Sequence, residues 1–128
     1  MNRVVHFEIP AQDLERAKKF YSDNFGWKLT QFGPEMGHYV LAQTGPTDEN
    51  GMPQDKAFIN GGLMNRDPSA SSPVIVIAVG DADAAVEKVA KSGGKLVGEI
   101  LDIPNVGRYA RVQDTEGNVI GVIKPTMP

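Results

Sequence analysis

His6 and Glu8 stand two residues apart in Val4-Val5-His6-Phe7-Glu8-Ile9. On a strand, that spacing puts an imidazole and a carboxylate on one face, roughly 6.5–7 Å apart along it. Such a pair has the chemistry of a general base, or of a histidine–carboxylate grip on a polar ligand. Two partly buried polar groups can equally satisfy each other or a neighbouring strand. His6 and Glu8 are therefore the candidate catalytic residues. A second polar set, Tyr109, Arg111 and Gln113, alternates with Ala110 and Val112. Arg111 offers a bidentate grip on a carboxylate or phosphate, and tyrosine supplies flat contact area. The alternative is an Arg111–Glu8 ion pair, since an inward-facing charge needs a partner either way.

Composition narrows the classes open to these residues. The chain has 128 residues, 41% hydrophobic and 23% charged, with a formal charge of −3. That size suits one domain. A weakly acidic surface, with pI near 5.3, argues against nucleic acid or anionic membrane as partner. The absence of cysteine excludes a disulfide scaffold, a thiolate zinc site and a cysteine nucleophile. No signal-peptide core and no apolar run of membrane-spanning length occurs, so a cytoplasmic location is expected.

The elements that must position the polar residues follow from periodicity. Val5, Phe7 and Ile9 form the apolar face of a strand whose other face holds His6 and Glu8. Asp13 can cap a helix in which Leu14, Ala17, Phe20, Tyr21 and Phe25 recur at helical spacing, and Gly26 suits its stop. Trp27–Phe32, His38–Gln43 and Ala57–Leu63 are strand candidates, the last two separated by a polar loop, Thr44–Asp55, with Asn50-Gly51 inside it. The second half repeats the plan. Val74–Val79 reads as a strand, and Asp81 or Asp83 can cap a helix burying Ala82, Ala85, Val86, Val89 and Ala90. Ser92-Gly93-Gly94 ends that helix, and strands over Lys95–Ile100, Tyr109–Gln113 and Val119–Lys124 follow.

The repeat is explicit in the residues. A shift of 68 places Asp13 on Asp81, Ala17 on Ala85 and Gly26 on Gly94. A shift of 70 sets Gly37-His38-Tyr39 and Gln43 against Gly107-Arg108-Tyr109 and Gln113, and a shift of 60 sets Gly61 against Gly121. Drifting offsets are expected when insertions fall between elements. The chain thus reads as α+β, with two βαβββ modules over about 1–64 and 73–128 and a linker over about 65–72. Each helix leaves a sheet face uncovered, so curved mixed sheets should pair around a shared cleft. The cleft-facing residues would be His6, Glu8, Tyr39, Tyr109, Arg111 and Gln113. His38 reads as a solvated rim residue. Gly61-Gly62 reads as a bulge allowing close backbone approach.

The stretches Val4–Pro10, Asp13–Tyr21, Phe25-Gly26-Trp27, Ile59–Met64 and Asp114–Gly121 resemble the vicinal oxygen chelate superfamily. That superfamily includes glyoxalase I, bleomycin-resistance proteins and extradiol dioxygenases, and the resemblance spans essentially the whole chain. Its enzymes hold a divalent metal at positions that carry over to His6, Gly61 or Gly62, Val74 and Gly121. Of these only His6 has a donor side chain, whereas a catalytic metal usually takes three protein ligands. The resemblance therefore implies the metal-free branch, in which bleomycin-resistance proteins sequester a ligand without transforming it, and no cofactor. It also implies a homodimer. The expected function is binding of a small organic molecule, anionic or amphipathic, in the cleft. The alternatives are a lyase, isomerase or dioxygenase using His6 with an atypical divalent metal, and a non-catalytic structural or regulatory dimer.

Overall fold

Alternation in the strands and an aspartate ahead of each helix build the same unit twice. The computed structural model describes residues 1–50, 52–54 and 57–126. Gly51 of the Asn50-Gly51 turn, and Asp55 at the end of the loop, lie outside the described residues. The first run is β1 (Val4–Ala11), α1 (Leu14–Phe25), β2 (Lys28–Gln31), β3 (Val40–Gln43) and β4 (Asn60–Asn65). The second is β5 (Val74–Ala78), α2 (Ala82–Lys91), β6 (Lys95–Ile103), β7 (Gly107–Gln113) and β8 (Val119–Pro125). The class is α+β, and each run is a βαβββ module.

Both helices start by the same device. The Asp13 carboxylate accepts the Arg16 backbone N–H, and the Asp81 carboxylate accepts that of Ala84, each at 3.0 Å. Each satisfies a donor the first helical turn leaves without an intrahelical partner. Gly26, at φ 69°, ends α1 by donating its N–H to the Ser22 carbonyl, a left-handed conformation that glycine adopts without penalty.

The chain divides into two compact units, His6–Pro73 and Val74–Pro128 with Met1–Val5. In the first, the strand order is β2-β3-β4-β1, with β1 parallel to β4 and the other pairs antiparallel. In the second, the order is β5-β8-β7-β6, with β5 parallel to β8 and the rest antiparallel. The amino-terminal residues run beside β5: Ala78 N–H donates to the Arg3 carbonyl at 2.9 Å, and the Asn2 amide donates to the Ala78 carbonyl at 3.0 Å.

Several boundaries differ from expectation for identifiable reasons. β4 runs from Asn60 to Asn65 rather than over Ala57–Leu63, because its register with β1 continues unbroken from His6↔Asn60 to Ala11↔Asn65. The same unbroken register means that Gly61-Gly62 forms no bulge. β3 begins at Val40 because a 3₁₀ turn at Pro34–Met36 precedes it, and Gly37 and His38 both take positive φ. β6 is longer than expected and carries a register shift between Val97 and Leu101, around Gly98 at φ 78°.

The two helices pack unequally. In the second unit Val86 of α2 joins Ala110, Val112 and Val122 in a buried cluster, with Val89 and Ile120 against it; Ala90 of the expected stripe is exposed. In the first, Val40, Ala42 and Leu63 are wholly buried, yet no α1 residue is. Phe20 and Phe25, expected in the buried stripe of α1, are 53% and 60% exposed. Phe20 edges onto Tyr21 and Phe25 lies tilted against it; Tyr21 stacks on Trp27 at 5.0 Å, and Trp27 in turn meets Phe7 at 5.5 Å.

Candidate functional site

In each module the face turned away from the helix carries the polar residues. Phe7 of β1 reaches the α1 side through Trp27, so His6 and Glu8 lie on the opposite face. Register places Asn60 beside His6, and Leu41 beside Gly62 on that same face. Tyr39, just ahead of β3, brings its hydroxyl oxygen to 2.8 Å from His6 Nε2. His6 is largely out of water, and desolvation lowers its pKa from 6.5 to about 4. The ring is therefore neutral at pH 7, with the proton on one nitrogen only. Glu8 is buried, and no buried side-chain nitrogen or oxygen among the described residues lacks a hydrogen-bond partner.

The second module has the parallel arrangement. Ala110 and Val112 enter the cluster beneath α2, so Tyr109, Arg111 and Gln113 line the other face of β7. Arg111 Nε donates to the Tyr109 hydroxyl oxygen at 3.2 Å, and Arg111 pairs with Gly121 on β8. Gln113, at the end of β7, pairs with Val119. His6, Glu8 and Tyr39 are thus gathered in one module, and Tyr109, Arg111 and Gln113 in the other. His38 is exposed, as a rim residue would be.

Two features were not foreseen. Asn60 is 5% exposed and accepts the Thr44 backbone N–H at 3.1 Å through Oδ1. Its position immediately before Gly61-Gly62, in register with His6, is the signal that could have found it. The second is the identity of the groups that make the close approach expected at the glycines. A Cβ at Gly62 would overlap the Tyr39 hydroxyl, one at Gly61 would overlap the Phe7 ring, and one at Gly121 would lie 2.9 Å from the Tyr109 ring. The tandem glycines of β4 are needed because an aromatic ring lies against each face of the strand. Two open surface hollows, of about 270 and 480 Å³, lie elsewhere and are lined by none of the six candidate residues.

Comparison with known proteins adds a family to this geometry. The model of the bleomycin resistance protein-like N-terminal family matches residues 3–45. A glyoxylase-like domain-containing protein from Didymella fabae is 36% identical over 91% of this chain and 88% of its own length. The chain belongs to the vicinal oxygen chelate superfamily. A second superfamily relative, the lactoylglutathione lyase of Haemophilus influenzae, is 30% identical over 95% of this chain and 92% of its own. Among solved structures, a methylmalonyl-CoA epimerase in complex with methylmalonyl-CoA shares the fold. It gives a TM-score of 0.69 over 99% of this chain and 96% of that one, at 16% identity.

The superfamily implies a divalent metal, and the residues here do not fit one. Among the described residues, no group of three or more His, Cys, Asp or Glu is placed to hold an ion. At the carried-over positions, Gly62 and Gly121 give up their space to tyrosine rings, Val74 is apolar and buried, and His6 is bonded to Tyr39.

Proposed function

We propose that the protein binds a small organic molecule, anionic or amphipathic, through its polar sheet faces and without a metal ion. The observation that carries this reading is that each face centres on a tyrosine hydroxyl, bonded to His6 in one module and to Arg111 in the other. Glu8 and Gln113 complete the two polar sets. A guanidinium held beside a phenol is suited to a carboxylate or phosphate group, which takes a charge-assisted hydrogen bond. A lyase or isomerase reading draws only on what relatives are named. His6 argues against it as general base, since a pKa near 4 lies far below the operating pH at which a base works best.

The test is a metal analysis of purified protein followed by a thermal-shift screen of small acids and aromatics. A hit is then titrated calorimetrically against wild type and Arg111→Ala. The expected loss on substitution is about 1.5–3 kcal/mol, the scale of a hydrogen bond to a charged group. Stoichiometric metal that disappears in His6→Ala, or lactoylglutathione turnover by the protein, would overturn the reading. A homodimer belongs to the same proposal, because association would cover the exposed Phe20 and Phe25 rings. Light scattering that reports a monomer at micromolar concentration removes that part of it.

A further inference from the structure

The β6–β7 hairpin turns through Ile103-Pro104-Asn105-Val106, where the Val106 N–H donates to the Ile103 carbonyl at 3.0 Å. Proline fixes one φ of this turn, and Asn105, at φ 65°, takes a left-handed conformation that asparagine tolerates better than most residues. The Thr126 N–H donates to the Val106 carbonyl at 3.0 Å, so the chain leaving β8 is held against the same turn. Between them opens a hollow of about 480 Å³, walled by Pro104 and Pro125 and edged by Asn105, Arg108, Lys124 and Thr126. All of these residues belong to the second unit. Ile120 and Val122 pack in the cluster with Val86 of α2, so alternation along β8 puts Lys124 on the helix side of the sheet. Arg108 is on that side too, bonded to Asp83 of α2, whereas Tyr109 and Arg111 line the other face.

Register sets the charges of this hollow. Asp102, which also borders it, stands beside Arg108, and Arg108 stands beside Lys124, across β6, β7 and β8. The row is one carboxylate and two cations. Arg108 takes both Asp83, at 2.7 Å, and Asp102, at 2.9 Å. Lys124 takes neither: among the described residues its ammonium has no ion pair or hydrogen bond, and the Asn105 amide and Thr126 hydroxyl have no hydrogen bond either. Like charges directly opposite on neighbouring strands destabilise a sheet, and Asp102 lies two strands from Lys124, about 9–10 Å away. The row is therefore short of one negative charge on the Lys124 side. We propose that the hollow binds an anion there, the carboxylate or phosphate group of a small organic acid. Lys124 supplies a point charge, Asn105 and Thr126 supply orienting donors, and the two prolines face the apolar body of the ligand. The volume falls in the range of about 300–1,000 Å³ usual for small-molecule sites. This site stands apart from the polar sheet faces and does not rest on the reading given for them.

Solution NMR of the whole protein, titrated with sodium phosphate and separately with sodium acetate at constant ionic strength, tests this. Both anions are expected to shift the backbone amide signals of Asn105 and Thr126 saturably, and chloride is expected not to. Lys124→Met, which keeps an unbranched stem and removes the charge, should weaken binding about tenfold, and Thr126→Val about threefold. Lys95→Met, at the opposite end of β6 and outside the hollow, should leave the affinity unchanged. Whichever anion binds tighter tells a phosphoryl ligand from a carboxyl one. Equal losses in Lys95→Met and Lys124→Met, shifts matched by chloride, or no saturable shift with either anion would overturn the inference. Shifts centred on Arg111 while Asn105 and Thr126 stay unmoved would overturn it too, and would leave the ligand-binding reading of the sheet face standing.

Discussion

The two βαβββ modules share a plan and differ in what fills it. Both cap the helix with aspartate, both run the first and last strands parallel, and both seat a tyrosine over a glycine. The first module offers a neutral imidazole to its tyrosine and leaves α1 with exposed phenylalanines. The second offers a guanidinium and packs α2 into a small aliphatic cluster. Backbone register and close-packing requirements have held through the duplication, while charge and helix packing have diverged. The shared features are those where one atom more or less changes sterics, and the divergent ones are side-chain choices on an unchanged frame.

The largest effect should come from removing the tyrosine seat. In Gly62→Ala the new methyl takes the space of the Tyr39 hydroxyl, so the ring must leave and its bond to His6 is lost. Overpacking of this kind destabilises by about 1–3 kcal/mol, read as a lower urea midpoint. Gly121→Ala should destabilise less, because its Cβ meets the Tyr109 ring at 2.9 Å and a small tilt relieves the contact. Equal losses at both positions would break the ordering of the two seats.

Next comes acid. His6 titrates near 4 in the folded protein against 6.5 when solvated. Between those values the unfolded chain binds a proton that the folded one does not, so stability falls as pH falls from about 6.5 toward 4. The loss between about pH 7 and pH 5 should be about 2 kcal/mol, and His6→Gln should abolish most of it. Asp83 and Asp114 contribute in a different window. Hydrogen bonds from Arg108, and from the Asn118 and Glu116 backbones, hold their carboxyls below 3.8. What they add is lost only under more acidic conditions. An equal pH slope in His6→Gln would move the cause away from the first module.

Much of this was legible in the sequence, and the gaps have physical causes. The period-two alternation of Val5, Phe7 and Ile9 placed His6 and Glu8 on one face, and the aspartate caps placed both helices. The repeat alone pairs Tyr39 with Tyr109. Phe20 and Phe25 were misplaced because helical spacing reports which residues share a stripe and is silent on whether a neighbour covers it. Close backbone approach at Gly61-Gly62 was legible from the glycines, but the approaching Phe7 and Tyr39 rings were not, because rings distant in sequence leave no local mark. Asn60 went unnoticed for a related reason: only the β1–β4 register shows that it stands beside His6.

A smaller effect separates the modules near the start of the third strand of each. Arg108 forks between Asp83 at the start of α2, at 2.7 Å, and Asp102 on β6, at 2.9 Å. The first module has exposed His38 at the matching position. Because the three charges reach solvent, Arg108→Ala should lower stability only slightly, read as a small drop in the urea midpoint, and added salt should shrink the difference. A loss that persists undiminished in high salt would mean that Arg108 acts by packing its stem.

The smallest expected change is a gain. Gly80 immediately precedes the Asp81 cap, has an ordinary φ, and would meet nothing within 4 Å if given a Cβ. Its counterpart ahead of the Asp13 cap is Gln12, so the same turn in the first module already tolerates a side chain. Alanine at 80 should leave the folded state unchanged and narrow the unfolded ensemble, stabilising by about 0.4–1 kcal/mol. Gly98→Ala makes the contrast: it too has open space around it, but its φ of 78° makes any Cβ strained, so it should destabilise. Urea midpoints for the two variants should therefore move in opposite directions. If Gly80→Ala also destabilises, the turns before the two caps are not equivalent, and the likeness of the modules stops short of their helix starts.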